Sequence, residues 1–247
     1  MNANDDKALR LSVWRNAAAA LLFPRRYCFN CGCLLPAPLS EPALCPDCRA
    51  RLADARSCLH CATFLEDEQA SVCNECLHER PPFAAAFAAL PYAGRLRDNL
   101  LDLKYRDKTG RRHGAGELLY LAYLRHYADK GALLLTAVPG SPSRTARRGY
   151  DHAQLLAREL AMRSGLPLDA GLLERVKDTP PLAALSRSER AFVLKGAIRA
   201  NEGAAGQSVL LIDDIYTSGA TTSACAQALL KQQAAAVYVL TVSAGVN

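Results

Sequence analysis

The chain has 247 residues, half of them apolar and 22% charged, with 30 Lys and Arg against 24 Asp and Glu for a net charge of +6, and ten cysteines. That composition excludes disorder, collagen and coiled coil as descriptions of the whole, and the length allows one large domain or a medium one with a small companion. A chain of this size needs no disulfides to hold a core, so the cysteines have another cause.

Residues 1–24 are expected to form a helix. Their best apolar run, residues 17–23, falls well short of the roughly 20 residues a membrane helix needs, and Asp5, Asp6, Lys7, Arg10 and Arg15 precede it. Acids ahead of a short apolar stretch with no small-residue cleavage pattern make a poor signal peptide, so no membrane insertion and a cytoplasmic location are expected.

Nine cysteines fall between positions 28 and 76, and eight of them form the C-x-x-C pairs Cys28/Cys31, Cys45/Cys48, Cys58/Cys61 and Cys73/Cys76, with 13, 9 and 11 residues between pairs. A C-x-x-C at a tight turn points two thiolates at one ion, and a second knuckle nearby completes the tetrahedral sulfur site that Zn²⁺ prefers. Two structural zinc sites over residues 25–80 follow. Sequential pairing closes the longer loops; the spacing also permits a crossed pairing. Disulfides are out of place in a cytosolic chain, and the C-x-x-C-x-x-C run usual for an iron–sulfur cluster is missing. A closed four-thiolate site leaves no position for substrate, so this module is expected to fold on metal rather than perform chemistry. A redox role for one pair is the alternative, and it requires an exposed thiol of low pKa. Cys33 is left over, as a substitute for Cys31 or as a spare thiol.

The texture changes at Glu79-Arg80-Pro81-Pro82, which reads as a module boundary. From there to residue 247, residues 87–92 look like a strand, and Leu96, Leu100 and Leu103, then Leu118, Leu121 and Leu124, mark helices. Residues 132–138 form a short buried-strand run. A helix is expected over 151–164, a strand over 172–176, a loop at Thr179-Pro180-Pro181 and a polar helix over 186–195. Strand 209–215, helix 221–232 and strand 237–243 close the chain. Short apolar strands alternating with helices predict an α/β fold, a parallel sheet covered on both faces with ligands at the carboxyl ends of the strands.

The run Val209-Leu210-Leu211-Ile212-Asp213-Asp214-Ile215-Tyr216-Thr217-Ser218-Gly219-Ala220-Thr221 is a buried strand, two acids, a hydroxyl-rich turn and a helix start. Unpaired amides and the positive dipole end at a helix N-terminus let such a turn wrap a phosphate. The acids would repel that phosphate, so they make sense when they address hydroxyls or a metal on the same ligand, as on a sugar phosphate. The plain alternative is a capped strand–turn–helix.

This run resembles the 5-phosphoribosyl-1-diphosphate (PRPP) motif of type I phosphoribosyltransferases. The resemblance implies that Asp213 and Asp214 bond the ribose hydroxyls while Thr217, Ser218, Gly219, Ala220 and Thr221 hold the 5′-phosphate. Thr217 stands where purine enzymes often carry an acid, which disfavours hypoxanthine or guanine as acceptor. Upstream, Val138-Pro139-Gly140-Ser141-Pro142-Ser143-Arg144 lies where such enzymes place a diphosphate loop. Pro139, Arg144, Arg147 and Arg148 are its candidate residues, since planar guanidinium forks suit a diphosphate. Asp213, Asp214 and Arg148 are the candidate catalytic groups, with Mg²⁺ accompanying PRPP.

With the knuckles, Leu22-Phe23-Pro24, Leu103-Lys104-Tyr105, Arg148-Gly149-Tyr150-Asp151-His152, Thr179-Pro180-Pro181, Leu185-Ser186 and Glu189-Arg190, the chain resembles the ComF family. The resemblance implies a double zinc ribbon followed by a type I phosphoribosyltransferase fold from about residue 84. It also implies a link to DNA uptake in natural transformation, with single-stranded DNA and a competence helicase as candidate partners. Asp151-His152 stands where relatives commonly carry Asn-Gln, Leu182 replaces a usual Gln, and Val193 a usual Asn. Leu182 and Val193 belong to the segment expected to form a hood over the site. His152 can be a general acid or base, or a helix-start residue contacting a carboxylate; Cys225 reads as a small buried hydrophobe.

Nine basic and ten acidic residues precede position 83, and 21 and 14 follow it, so the positive charge belongs to the second part. Nucleic-acid contact would draw on it, with Arg95, Arg97, Lys104, Arg106, Lys108, Arg111 and Arg112 as candidates; these charges can equally line a helix face.

Overall fold

The computed structural model describes residues 27–35, 43–54, 56–67, 69–106, 108–180 and 185–246; the helix expected over 1–24 and Leu182 lie outside them. Strands β1 (Ala85–Pro91), β2 (Leu134–Ala137), β5 (Ser208–Tyr216) and β6 (Ala236–Ala244) form a parallel sheet in the order β1-β6-β5-β2. Val209, Leu210, Leu211 and Ile212 are all fully buried, as a central strand covered on both faces requires. Strand alternation sends Leu210, Ile212, Leu240 and Val242 into one core and Val209, Leu211, Val237 and Val239 into the other.

Helices α3 (Gly94–Tyr105), α4 (Arg112–His126) and α6 (His152–Ser164) cover the first face through Leu96, Leu100, Leu103, Leu118, Leu119, Leu156 and Leu160. Tyr127, fully buried just past α4, donates its hydroxyl to the carbonyls of Val239 at 2.9 Å and Ala85 at 3.2 Å, joining β6 to β1. The other face is covered by α8 (Ala220–Lys231) through Cys225, Ala226 and Leu229. Cys225 is completely buried there, as a small hydrophobe.

The expected strand near 172–176 exists but does not join the parallel sheet. β3 (Leu173–Arg175) pairs antiparallel with β4 (Ile198–Ala200), a strand too short to show in the sequence pattern, and α7 (Arg187–Leu194) lies between them. The Ser186 and Glu189 of the sequence motif form a capping box on α7: the Glu189 amide donates to the Ser186 hydroxyl and the Ser186 amide donates to Glu189 Oε2 at 2.7 Å. Short α5 (Pro142–Arg148) follows the loop after β2 and ends on Gly149 at φ +75°.

Each cysteine group opens on a hairpin, bridged at Tyr27–Leu34 and Ser57–Phe64, and closes on a short helix, α1 (Pro46–Asp54) or α2 (Asn74–His78). The first group packs on the α3/α4 face, where Phe29 fills the space left by Gly114 and Asn99 donates to the Phe29 carbonyl at 2.6 Å. The second packs on the α8 face and is tied to the end of β6 by the Phe64 amide on Gly245 O at 3.0 Å.

Candidate functional site

The sulfurs of Cys28, Cys31, Cys45 and Cys48 converge within 4.8 Å of one another, as do those of Cys58, Cys61, Cys73 and Cys76, so the pairing is sequential rather than crossed. Backbone amides are aimed at one sulfur in each group. Cys45 N–H donates to Cys28 Sγ at 3.4 Å, and Cys73 and His60 N–H donate to Cys58 Sγ at 3.3 and 3.4 Å. Burial alone would raise the Cys28 thiol, but the amides of Cys31, Cys45 and Asn30 bring it down to about 6. Cys58 is lowered in the same way against burial. Burial and the neighbouring sulfurs push Cys76 and Cys48 up instead, because four crowded thiolates are tolerable only around a cation. Each group is a donor set suited to a zinc ion. Cys33 is exposed and stands outside the four-sulfur group, its carbonyl accepting the Cys28 amide at 2.8 Å.

At the carboxyl end of the sheet a cavity of about 470 Å³ gathers Pro139, Arg144, Arg148, Asp213, Asp214 and the whole turn from Thr217 to Thr221. The acids end β5, and Gly219 (φ +71°) starts α8, where a β-carbon would run into the Tyr216 ring. The arginines come from α5 across the cavity, and the Arg148 guanidinium lies 4.8 Å from the centre of the Tyr105 ring.

Sequence reasoning missed how the acid pair is held. Lys104, from α3, places Nζ 3.1 and 2.8 Å from the two Asp214 oxygens, and His152, the first residue of α6, places Nε2 at 3.6 Å. Burial would raise Asp214, but Lys104 and His152 outweigh it and hold the carboxyl well below the usual range. Burial and then the charge of Asp214 push Asp213 up, to about 7. Lys104 stays charged because Asp214 and Asp213 offset its burial. The signal was present in Leu103-Lys104-Tyr105, which the family resemblance singled out without a role.

Asp151 caps α6, taking the amides of Ala153 (2.9 Å) and Gln154 (3.3 Å) on Oδ1, while its Oδ2 takes the Gly140 amide of the loop after β2 at 2.7 Å. Two residues of the β3–α7–β4 segment also line the cavity. Arg190 reaches Ser218 Oγ at 3.2 Å, and Arg175 is 7% exposed. Arg175 shares the inward face of β3 with Leu173, a period-2 position where a cation is conspicuous. Val193 is half-buried on α7.

Beyond the turn at 217–221 a second groove, of about 1050 Å³, runs between the second cysteine group, α7 and α8, with Arg80, Arg190, Lys195 and Lys231 against Glu75 and Glu79 on its walls. The basic stretch after α3 is differently employed. Arg106, Lys108 and Arg111 all pair with buried Asp102, at 3.0, 3.0 and 3.6 Å, and Arg112 pairs with buried Glu159 at 3.0 Å.

Among proteins of known name, the chain is 28% identical over 211 residues to the DNA utilization protein YhgH of Escherichia coli K12, covering 84% of this chain and 92% of the relative. It is 28% identical over 200 residues to Competence protein F of Haemophilus influenzae, 78% and 86% of the two chains. It is 36% identical over 110 residues to Competence protein ComFC of Bacillus subtilis, 44% and 43%. No family model matches. Among solved structures, the glutamine PRPP amidotransferase of Bacillus subtilis, complexed with ADP and GMP, gives a TM-score of 0.36 at 20% identity, over 53% of this chain and 26% of that one. The protein TT1426 of Thermus thermophilus gives 0.31 at 19%, over 55% and 81%. The structure itself shows a parallel sheet whose central strand ends on the acid pair and runs into the hydroxyl turn, with two four-cysteine knuckles preceding it in the chain. Along most of its length the chain is thus similar to relatives named for competence and DNA utilization, and over a shorter stretch to Competence protein ComFC.

Proposed function

We propose that the protein binds Mg²⁺–PRPP and transfers its ribosyl 5-phosphate to an acceptor. One observation carries this reading: a single cavity sets an acid pair at a strand end, a hydroxyl turn at a helix start and a loop bearing two arginines around the space a sugar diphosphate would fill. The turn at 217–221 binds the 5′-phosphate, Asp213 addresses the ribose hydroxyls, and Arg144 and Arg148 take the diphosphate. In the reaction the C1–O bond breaks, the diphosphate leaves with the electron pair, and the acceptor's nucleophile adds at C1. The chain contributes position and fixed charge, with Lys104 holding Asp214 so that the strand end stays ordered beside the sugar. Asp213, beside Asp214 and His152, is the carboxylate that could hold Mg²⁺, which would stabilise the charge of the departing diphosphate. Zn²⁺ in the two cysteine groups is structural. Calorimetry of the zinc-loaded chain with PRPP and Mg²⁺ tests the reading: binding that Asp213→Asn and Thr221→Val weaken supports it, and no binding to the wild type ends it.

A second reading, a single-stranded DNA binder in competence, is favoured by the basic groove beside the phosphate turn. Arg106 and Arg111 serve Asp102, so the phosphate contacts would fall on Lys195 and Lys231 instead. Filter binding across salt concentrations is expected to weaken on Lys195→Glu/Lys231→Glu; unchanged binding removes this reading. A helicase partner recruited through the cysteine module is compatible with both.

A further inference from the structure

Arg175 is almost fully buried, lines the cavity, and carries an Nε that is the one buried side-chain nitrogen or oxygen without a hydrogen-bond partner among the described residues. Buried guanidinium groups normally satisfy their donors, since an unmade hydrogen bond to a charged group is costly. Its Nη2 donates to Thr179 Oγ1, and Arg144 Nη1 donates to the carbonyl of the same Thr179 at 3.1 Å, so one arginine from β3 and one from the diphosphate loop meet at a single residue. Two guanidinium groups that close repel, and they need an anion.

An acid three residues further along the chain, Asp178, acts on this pair. Its carboxylate accepts from the Ser141 hydroxyl of the diphosphate loop, Ser143 stands beside it, and Arg144 and Arg175 act on it electrostatically. Two serine hydroxyls and two arginines are the donor set of a phosphate site. Asp178 itself is exposed and can swing out.

We propose that Arg175 is a diphosphate-binding residue contributed by the β3–α7–β4 segment, and that Asp178 occupies that subsite as an internal carboxylate until a diphosphate displaces it. The inference rests on the phosphoribosyl reading above and extends it. The contact that brings Arg175 onto the diphosphate is then the one that releases Asp178 from Ser141.

Two probes separate the inference from the reading beneath it: inorganic diphosphate with Mg²⁺ for this subsite, and ribose 5-phosphate for the turn at 217–221. Calorimetry on the zinc-loaded chain is expected to show Arg175→Gln weakening diphosphate about tenfold or more while ribose 5-phosphate binds as in the wild type. Arg175→Lys should recover part of the loss, and Asp178→Asn should tighten diphosphate several-fold by removing the competing charge. Diphosphate affinity within about threefold of wild type in Arg175→Gln overturns the proposal, as does weaker binding in Asp178→Asn. If Arg175→Gln fails to fold, Asp178→Asn decides alone. Ribose 5-phosphate binding without diphosphate binding in the wild type overturns the inference and leaves the reading standing; binding of neither overturns both.

Discussion

Replacing Lys104 with Met removes the cation from a buried carboxylate and leaves side-chain volume nearly unchanged. The Asp214 side chain is 4% exposed and that of Lys104 23%, with Nζ 2.8 and 3.1 Å from the two oxygens. At about 3 Å and an effective dielectric of about 20 the attraction is roughly 5 kcal/mol, most of it offset by desolvation when the pair forms. Removing one partner recovers only the desolvation of Lys104 and strands the other charge, which costs about 3–5 kcal/mol; the partial exposure of Lys104 places the expectation at about 3 kcal/mol. Urea unfolding of the zinc-loaded chain at pH 8 measures it. The loss should shrink toward pH 5, because without Lys104 burial raises Asp214, and each unit of pH makes its protonation easier by about 1.4 kcal/mol. The wild type has no such dependence from Asp214, whose depressed value keeps it ionised throughout that range. Lys104→Met/Asp214→Asn should be more stable than the sum of the single losses implies. A loss under about 1 kcal/mol at pH 8, or strict additivity in the double variant, refutes the claim that this pair anchors the strand end.

Asp213 lies on the other side of the same logic. Its folded value of about 7 stands above its ordinary 3.8, so ionising it costs stability that is absent near pH 4, grows as pH climbs through 7, and is constant above. Asp213→Asn should therefore unfold a few degrees higher than wild type at pH 8, an advantage of about 2 kcal/mol, and the advantage should shrink several-fold at pH 4.5; equal melting at pH 8 contradicts this. Metal analysis should find two zinc ions per chain and one in Cys61→Ser, with chelator lowering the melting temperature of both; full zinc content in Cys61→Ser would exclude that residue as a ligand. Asp151→Asn keeps a helix-capping oxygen but cannot also accept the Gly140 amide, so it should speed proteolysis or hydrogen exchange at residues 139–144 while leaving α6 intact, and Asp151→Ala should disturb both; a Gly140 amide equally protected in Asp151→Asn counts against the clamp.

Much of this was legible in the residues. Uniformly apolar runs announced β5 and β6 because strands covered on both faces have no solvent side to alternate with, and the C-x-x-C spacing announced the knuckles because zinc fixes ligand geometry locally. β4 escaped because three residues carry no period, and the antiparallel pairing of β3 escaped because pairing partners are chosen by tertiary contact rather than by the strand itself. At the cavity, the acid pair, the turn at 217–221 and the loop at 138–144 could each be picked out in the sequence, since each is contiguous. Lys104 acquires its role from Asp214, 110 residues away in chain order, through a contact no local pattern encodes, and His152 could be read as contacting a carboxylate but not which one. The basic run at 106–112 misled for the same reason: its charges look free in sequence and are bound to Asp102 and Glu159 in the fold.

The two adjacent acids are not equivalent, and strand geometry says why. Consecutive side chains on β5 point to opposite faces. Asp214 follows Ile212 toward the face covered by α3 and α6, and meets Lys104 and His152 there; Asp213 follows Leu211 toward the β3–α7–β4 side, within electrostatic reach of Arg175 and Cys225. Asp213 makes no ion pair among the described residues and accepts only the Asp214 amide, at 2.8 Å. One carboxylate is thus consumed in fixing the strand end while its neighbour keeps acceptor capacity on the cavity side. A motif with a single acid could not do both, since an acid neutralised by Lys104 has little left for a ligand, and an acid without that anchor would leave the turn at 217–221 resting on backbone alone. His152 joins the anchoring side of this division, adding a second nitrogen beside Asp214 rather than a new group on the side of Asp213.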